Sequence, residues 1–233
     1  MDNTHKISAE QIEQLYAFTR KHFVDYYDLQ TELVDHMANA IEDRWQEQPN
    51  LTFDQALQIE FKKFGIFGFM SVVEQRQLAL TKKYNKLIWI SFRAFFELPK
   101  ILLTIALIGI FYKSLTITPI IFGVVFLAAF FALAARAIYF WVKLKKKAKR
   151  TGKRWMLEEI IFRCGGFGPM IYLPYQLIRF LFEDNYPAIG QLLLAIALTA
   201  FLLYEYIILF VIPAEAQKHL TATYPEYALE NCS

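Results

Sequence analysis

Apolar positions follow two patterns along the chain, and the change falls near Leu87. Before it they recur three and four apart, and no apolar run exceeds a few residues. That is the spacing of amphipathic helices. Ser8-Ala9-Glu10-Gln11 reads as a capping box, a serine able to accept from helix amides with a glutamine three residues on. It predicts a helix over about 9–21. Leu29, Leu33, Met37 and Ile41, with Val34, Ala38 and Trp45 beside them, form one stripe of a second helix. That helix is predicted to start near Asp25 or Asp28 and to break at Pro49-Asn50. Thr52-Phe53-Asp54-Gln55 is a second capping box. Its helix carries Ala56, Leu57, Ile59, Phe61 and Phe64, and Gly65 stands where a C′ glycine belongs. A fourth helix is expected from about Met70 into Thr81-Lys82-Lys83-Tyr84-Asn85-Lys86. No strand alternation appears. The expected core is Leu33, Met37, Ile41, Trp45, Phe53, Ala56 and Phe64.

From Leu87 onward the chain is a series of long apolar runs. A bilayer core takes about 20 mostly apolar residues per helix. Four spans are predicted, at about 94–112, 115–142, 156–178 and 186–213. Residues 81–93 read as a basic linker leading into an amphipathic interfacial helix, and 214–233 as a tail. The expected fold class is all-α: a helical domain of about four helices over 1–80, then a four-helix transmembrane bundle over 94–213. The polar N-terminus and the late first apolar run predict no cleavable signal peptide.

Composition agrees with the runs. The 233 residues are 56% hydrophobic and 20% charged, against roughly 45–50% and about 25% in soluble domains. Disorder is excluded by this much apolar surface. A disulfide scaffold is excluded by having only Cys164 and Cys232. The net charge of +3 hides a segregation. Residues 1–80 carry 7 Lys/Arg against 13 Asp/Glu, residues 81–155 carry 15 against one, and residues 156–233 carry 3 against 8. The cations Lys143, Lys145, Lys146, Lys147, Lys149, Arg150, Lys153 and Arg154 form a basic loop between the second and third spans. By the positive-inside rule this loop, both termini and the first domain lie in the cytoplasm of an inner-membrane protein. The loop has two readings, topology determinant or anionic-lipid contact. The acidic first block could also dock on it as a charge-based latch that high salt loosens.

The stretch from Tyr27 through Glu32-Leu33-Val34-Asp35-His36-Met37, then Ile41-Glu42, then Thr52 to Ala56, then Lys63-Phe64-Gly65 resembles the HAAS-type signalling domain. The same pattern occurs as a helical prefix on some bacterial permeases. The resemblance covers about residues 25–70, with Glu32, Leu33, His36, Ala56 and Gly65 carrying the motif. Two positions depart from the family pattern: Gln48-Pro49-Asn50 replaces the usual glycine spacer, and Ile66-Phe67-Gly68 follows Gly65. The resemblance implies a regulatory or protein-interaction role. The implied partner is a transcriptional regulator of PadR type or another membrane protein.

Candidate chemistry is sparse. Glu32 and His36 share a helix face, but no His-Glu-x-x-His or paired Glu-x-x-His motif accompanies them, so His36 reads as structural. Arg93, Glu97, Arg136, Arg163 and Glu205 fall at similar depth, the last three about 9–12 Å from the expected cytoplasmic ends. Charges in a bilayer tend to face the bundle and pair. Glu205 is therefore expected to pair with Arg136 or Arg163, and Arg93 with Glu97. The break Gly165-Gly166-Phe167-Gly168-Pro169 reads as a packing point or hinge, with a transporter-type broken helix as the other reading. Walker, nucleophile-elbow and zinc spacings are absent. The basic loop lacks interleaved aromatics for base stacking. A non-enzymatic protein without cofactor or metal, not binding nucleic acid, is expected. Its partners are the lipid bilayer and a protein, with homo-oligomerisation open, and an accessory subunit or small transporter is the alternative.

Overall fold

The structure is a computed structural model that describes residues 6–163, 172, 175, 176, 179 and 187–227. Among these residues all regular structure is helical. The chain divides into two compact units. One is Met1–Thr81 with Ala148–Leu157, the other Lys82–Lys147 with Glu158–Ser233.

In the first unit, α1 (Ala9–Lys21) opens on the expected capping box. Gln11 N–H donates to Ser8 Oγ at 3.2 Å and Ser8 N–H donates to Gln11 Oε1 at 2.9 Å. α2 (Tyr27–Glu47) buries the predicted stripe of Leu29, Leu33, Met37, Ile41 and Trp45. Trp45 Nε1 donates to the Leu51 carbonyl at 3.0 Å, which ties down the connection carrying Pro49. α3 (Phe53–Lys62) opens on the Thr52 box, with reciprocal bonds to Gln55. Gly65 then takes the left-handed backbone, φ 75°, two residues past the Lys63 C-cap and so one position later than the expected C′. α4 (Met70–Arg93) is continuous through the division between the units.

The core differs from the expectation at two positions. Phe53 and Phe64 are only half-buried. Phe69, in the turn before α4, is buried instead, with its ring 4.9 Å from Phe61 and 4.8 Å from Phe64. Helix periodicity does not extend into a turn, so it could not flag Phe69. Gly68 makes the packing possible. A Cβ there would lie 2.9 Å from the Phe61 ring, and its φ is +52°.

In the second unit, three helices are long and apolar enough to cross a membrane: α5 (Lys100–Ile117), α6 (Pro119–Thr151), and α8 (Ala188–Tyr206) with its continuation to Ala214. This is compatible with a membrane protein. They share a core of Leu115, Phe126, Ala195, Leu198 and Phe201. Their outer faces expose Leu102, Ile105, Val124, Phe131 and Leu193, among others, a surface suited to lipid rather than water. α7 (Met156–Phe162) and α9 (Ala216–Thr223) are short.

The boundaries of the spans move. Glu97 leaves the helical region (φ −102°, ψ 153°) and Pro99 has no N–H, so α5 starts at Lys100 rather than 94. Lys113-Ser114 does not end it. The break comes at Thr118, which precedes Pro119 and is pushed out of the helical region (φ −135°, ψ 56°). The basic segment is largely helix rather than loop. α6 carries Lys143, Lys145, Lys146, Lys147, Lys149 and Arg150 and ends at Gly152, φ +69°. Lysine and arginine are good helix formers and complement the negative C-terminal end of the helix dipole. The four-span arrangement is shown only as these three helices. Of the expected third span only its start, α7, lies among the fully described residues. Cys164, Gly165, Gly166, Gly168, Pro169 and Cys232 lie outside the described residues.

Candidate functional site

The connection between α6 and α7 is held by the N-terminal helices. Asp25-Tyr26-Tyr27-Asp28, the turn that opens α2, grips Lys153-Arg154-Trp155-Met156 within the first unit. Tyr27 N–H donates to the Arg154 carbonyl at 2.7 Å. Met156 N–H donates to Asp28 Oδ1 at 3.2 Å, so an acid of one segment caps the helix of the other. Arg154 Nη1 lies 3.1 Å from Asp25 Oδ2. Lys153 Nζ sits 4.1 Å above the Tyr27 ring, and Tyr27 meets Trp155 edge-on at 5.3 Å. Trp155 is 3% exposed and Met156 1%. Buried apolar side chains and backbone donors both take part in this contact. The Arg154–Asp25 ion pair is partly solvated, and such pairs contribute about 0–1 kcal/mol.

The chain leaves the second unit at Lys147 and re-enters it at Glu158. These two residues pair: Lys147 Nζ lies 2.7 Å from Glu158 Oε1. Tyr227, near the C-terminus, completes the cluster. Its hydroxyl donates to Glu158 Oε1 at 2.7 Å and accepts from Lys147 Nζ at 2.9 Å. Glu158 and Tyr227 are buried.

A third polar arrangement lies in the apolar helices. α8 passes into a π turn, Ile207–Val211, ahead of Pro213. Proline has no N–H, so the Leu209 carbonyl lacks the donor that an α-helix would supply four residues on. Arg136 of α6 supplies one, its Nε donating to the Leu209 carbonyl at 3.0 Å. The guanidinium also sits 4.1 Å from the Phe210 ring centroid. Glu205, two residues before the π turn, is 5% exposed and makes no hydrogen bond or ion pair among the described residues.

No family model, no curated protein and no solved structure matches this chain.

The described contacts do not pair Glu205 with either expected arginine. Arg136 is engaged by the carbonyl that Pro213 leaves open. Arg163 pairs with Glu159 one turn earlier on α7, at 2.8 Å, a local contact needing no long-range ordering. Arg93 and Glu97 do contact, at 3.8 Å, and both are exposed. In the HAAS-like stretch Leu33 and Ala56 are buried, and Gly65 holds its left-handed turn. His36 is exposed, 6.2 Å edge-on to Phe64, and Glu32 reaches Arg76 at 3.8 Å. Among the described residues no group of three His, Cys, Asp or Glu could hold a metal ion. Lys143, Lys145, Lys146, Lys149 and Arg150 are exposed, whereas Lys147 turns inward and Lys153 and Arg154 enter the grip.

Sequence reasoning missed Tyr27, Trp155 and Tyr227 as contact residues. The opposite charges of the first block and the basic segment pointed toward the grip. No local pattern singled out Tyr227.

Proposed function

We propose that this chain is a non-enzymatic, multi-pass inner-membrane protein whose N-terminal helical unit is a regulatory and protein-interaction module. The module acts on the apolar helices through the α6–α7 connection. The observation that carries this reading is the pair of bonds from Tyr27 N–H to Arg154 and from Met156 N–H to Asp28. They hold Ala148–Leu157, the end of α6, the connection and the start of α7, in the first unit's fold. The resemblance of residues 25–70 to HAAS-type domains supports the same role. It suggests a PadR-type regulator or another membrane protein as partner. The basic segment favours cytoplasmic termini.

Affinity capture of the full chain from solubilised membranes tests the reading. A stoichiometric protein partner whose retention changes with Trp155→Ala is the expected result. A chain that retains no protein, and whose α7 amide exchange ignores Trp155→Ala, overturns it.

A second reading, an accessory subunit or small transporter, is favoured by Glu205 next to a π turn. Intramembrane acids and π turns recur at functional sites. Flux through reconstituted vesicles that Glu205→Gln abolishes would support it, and flux indifferent to that change would exclude it.

A further inference from the structure

The first unit exposes three large apolar side chains at one end. Phe23 is 76% exposed, Ile66 99% and Phe67 76%. Phe23 follows α1, and Ile66-Phe67 follow α3. The two connections leave one aromatic cluster, in which the His22 ring lies 4.4 Å from Phe61 and 4.1 Å from Phe18, and Phe61 lies 4.9 Å from Phe69. The apolar prongs therefore belong to one tip.

Phe23 is held there against its backbone preference. Its φ is +64°. Val24 N–H donates to the Thr19 carbonyl and Phe23 N–H to the Arg20 carbonyl, both at 3.1 Å. This is the Schellman arrangement, in which the C′ position is usually glycine. A bulky residue in that backbone region is strained. Packing does not offset the strain, because the ring points into solvent.

The tip is also where the cations of this acidic domain collect. Residues 1–80 hold 7 Lys/Arg, and four of them are Arg20, Lys21, Lys62 and Lys63. Arg20, Lys21 and Lys62 are exposed, and Lys63 shares Glu60 with Arg44. Cations in last turns complement helix dipoles. That accounts for the charges but not for aromatic and aliphatic prongs in water. Apolar prongs inside a basic collar match the chemistry of an anionic bilayer surface: the collar meets head groups and the prongs enter the acyl boundary.

We propose that the Phe23, Ile66 and Phe67 tip, with Arg20, Lys21 and Lys62 around it, is a docking site for an anionic lipid surface. The tip uses none of the residues that grip the α6–α7 connection. A domain tethered to apolar helices works at high local concentration of lipid, so three prongs and a few cations are sufficient for reversible docking.

The test uses the full chain with Cys164→Ser, Cys232→Ser and Phe67→Cys, labelled with an environment-sensitive fluorophore. It is placed in nanodiscs of phosphatidylcholine, with or without phosphatidylglycerol. In anionic discs the emission should shift to the blue and be quenched by doxyl-labelled lipid. Reversing Arg20, Lys21 and Lys62 to glutamate should cut that quenching severalfold. Ile66→Cys gives a second labelling position if Phe67→Cys folds poorly. Phe23→Gly separates docking from folding, because it should raise the melting temperature while weakening quenching. Emission that stays water-like in both discs overturns the proposal. So does a blue shift without doxyl quenching, which would place the tip against protein.

Discussion

Lys147 Nζ lies 2.7 Å from Glu158 Oε1, and between these two residues the chain runs through the other unit of the molecule. The pair closes the base of the α6–α7 connection, and the Tyr227 hydroxyl bridges both. Glu158 is buried and Lys147 partly so, and removing either partner of such a pair is destabilising. Glu158→Gln or Lys147→Met should each destabilise the protein by roughly 3 kcal/mol. A double-mutant cycle read by thermal unfolding in detergent should give a coupling above about 1 kcal/mol. Additive effects would refute the closure.

The grip on Lys153–Met156 should resist salt. The Arg154–Asp25 contact is ionic, and its side chains are 40% and 65% exposed. High ionic strength should leave protease access to residues 1–80 unchanged, contrary to a charge-based latch. Trp155→Ala removes a buried ring and should cost about 3–5 kcal/mol, opening the same sites to cleavage. Limited proteolysis across a salt series, with and without the substitution, checks both statements.

Arg136 and Pro213 should be energetically linked. Arg136→Leu leaves the Leu209 carbonyl without its donor, a loss of about 2 kcal/mol. Pro213→Ala restores a backbone N–H to the helix, so Arg136→Leu should cost less in that background. Melting temperatures of the four combinations decide it, and equal costs in both backgrounds would sink the link.

Glu60 should give the first unit an acid-sensitive component. Burial by itself would push its carboxyl up, but hydrogen bonds and charge from Lys63 and Arg44 outweigh this and hold it below the ordinary value. Its stabilisation is therefore complete above the unfolded value of about 4.3. It fades as pH falls through the lower folded value. The melting-temperature gap between wild type and Glu60→Gln should be wide at neutral pH and narrow at about pH 3. A gap that does not change with pH would contradict the ion pairs.

Glu205 should be dispensable for stability. It is buried and has no polar partner among the described residues. Glu205→Leu should leave the melting temperature unchanged or raise it. A large drop would restore the expectation of a structural charge pair.

The two capping boxes, the α2 stripe and the αL turn at Gly65 were legible in the sequence because each is a local rule. A serine, a glutamine three residues on, or a glycine past a last turn acts within one helix turn. The apolar runs were legible too, since span length is set by the bilayer rather than by neighbouring residues. Their ends were less so. Pro99 and Pro119 set them where charge pattern had suggested residues nearby.

What the sequence determined, then, was the all-helical composition, the apolar character of the second half and the segregation of charge. Only the tertiary structure decided who meets whom. Tyr27 and Arg154 are far apart in the chain, as are Lys147 and Tyr227, and Arg136 and Leu209. The partner of Arg136 is a backbone carbonyl exposed by a proline four residues on. Such contacts depend on where helices cross and which backbone groups are left open, and neither is encoded in the spacing of residues along a single helix.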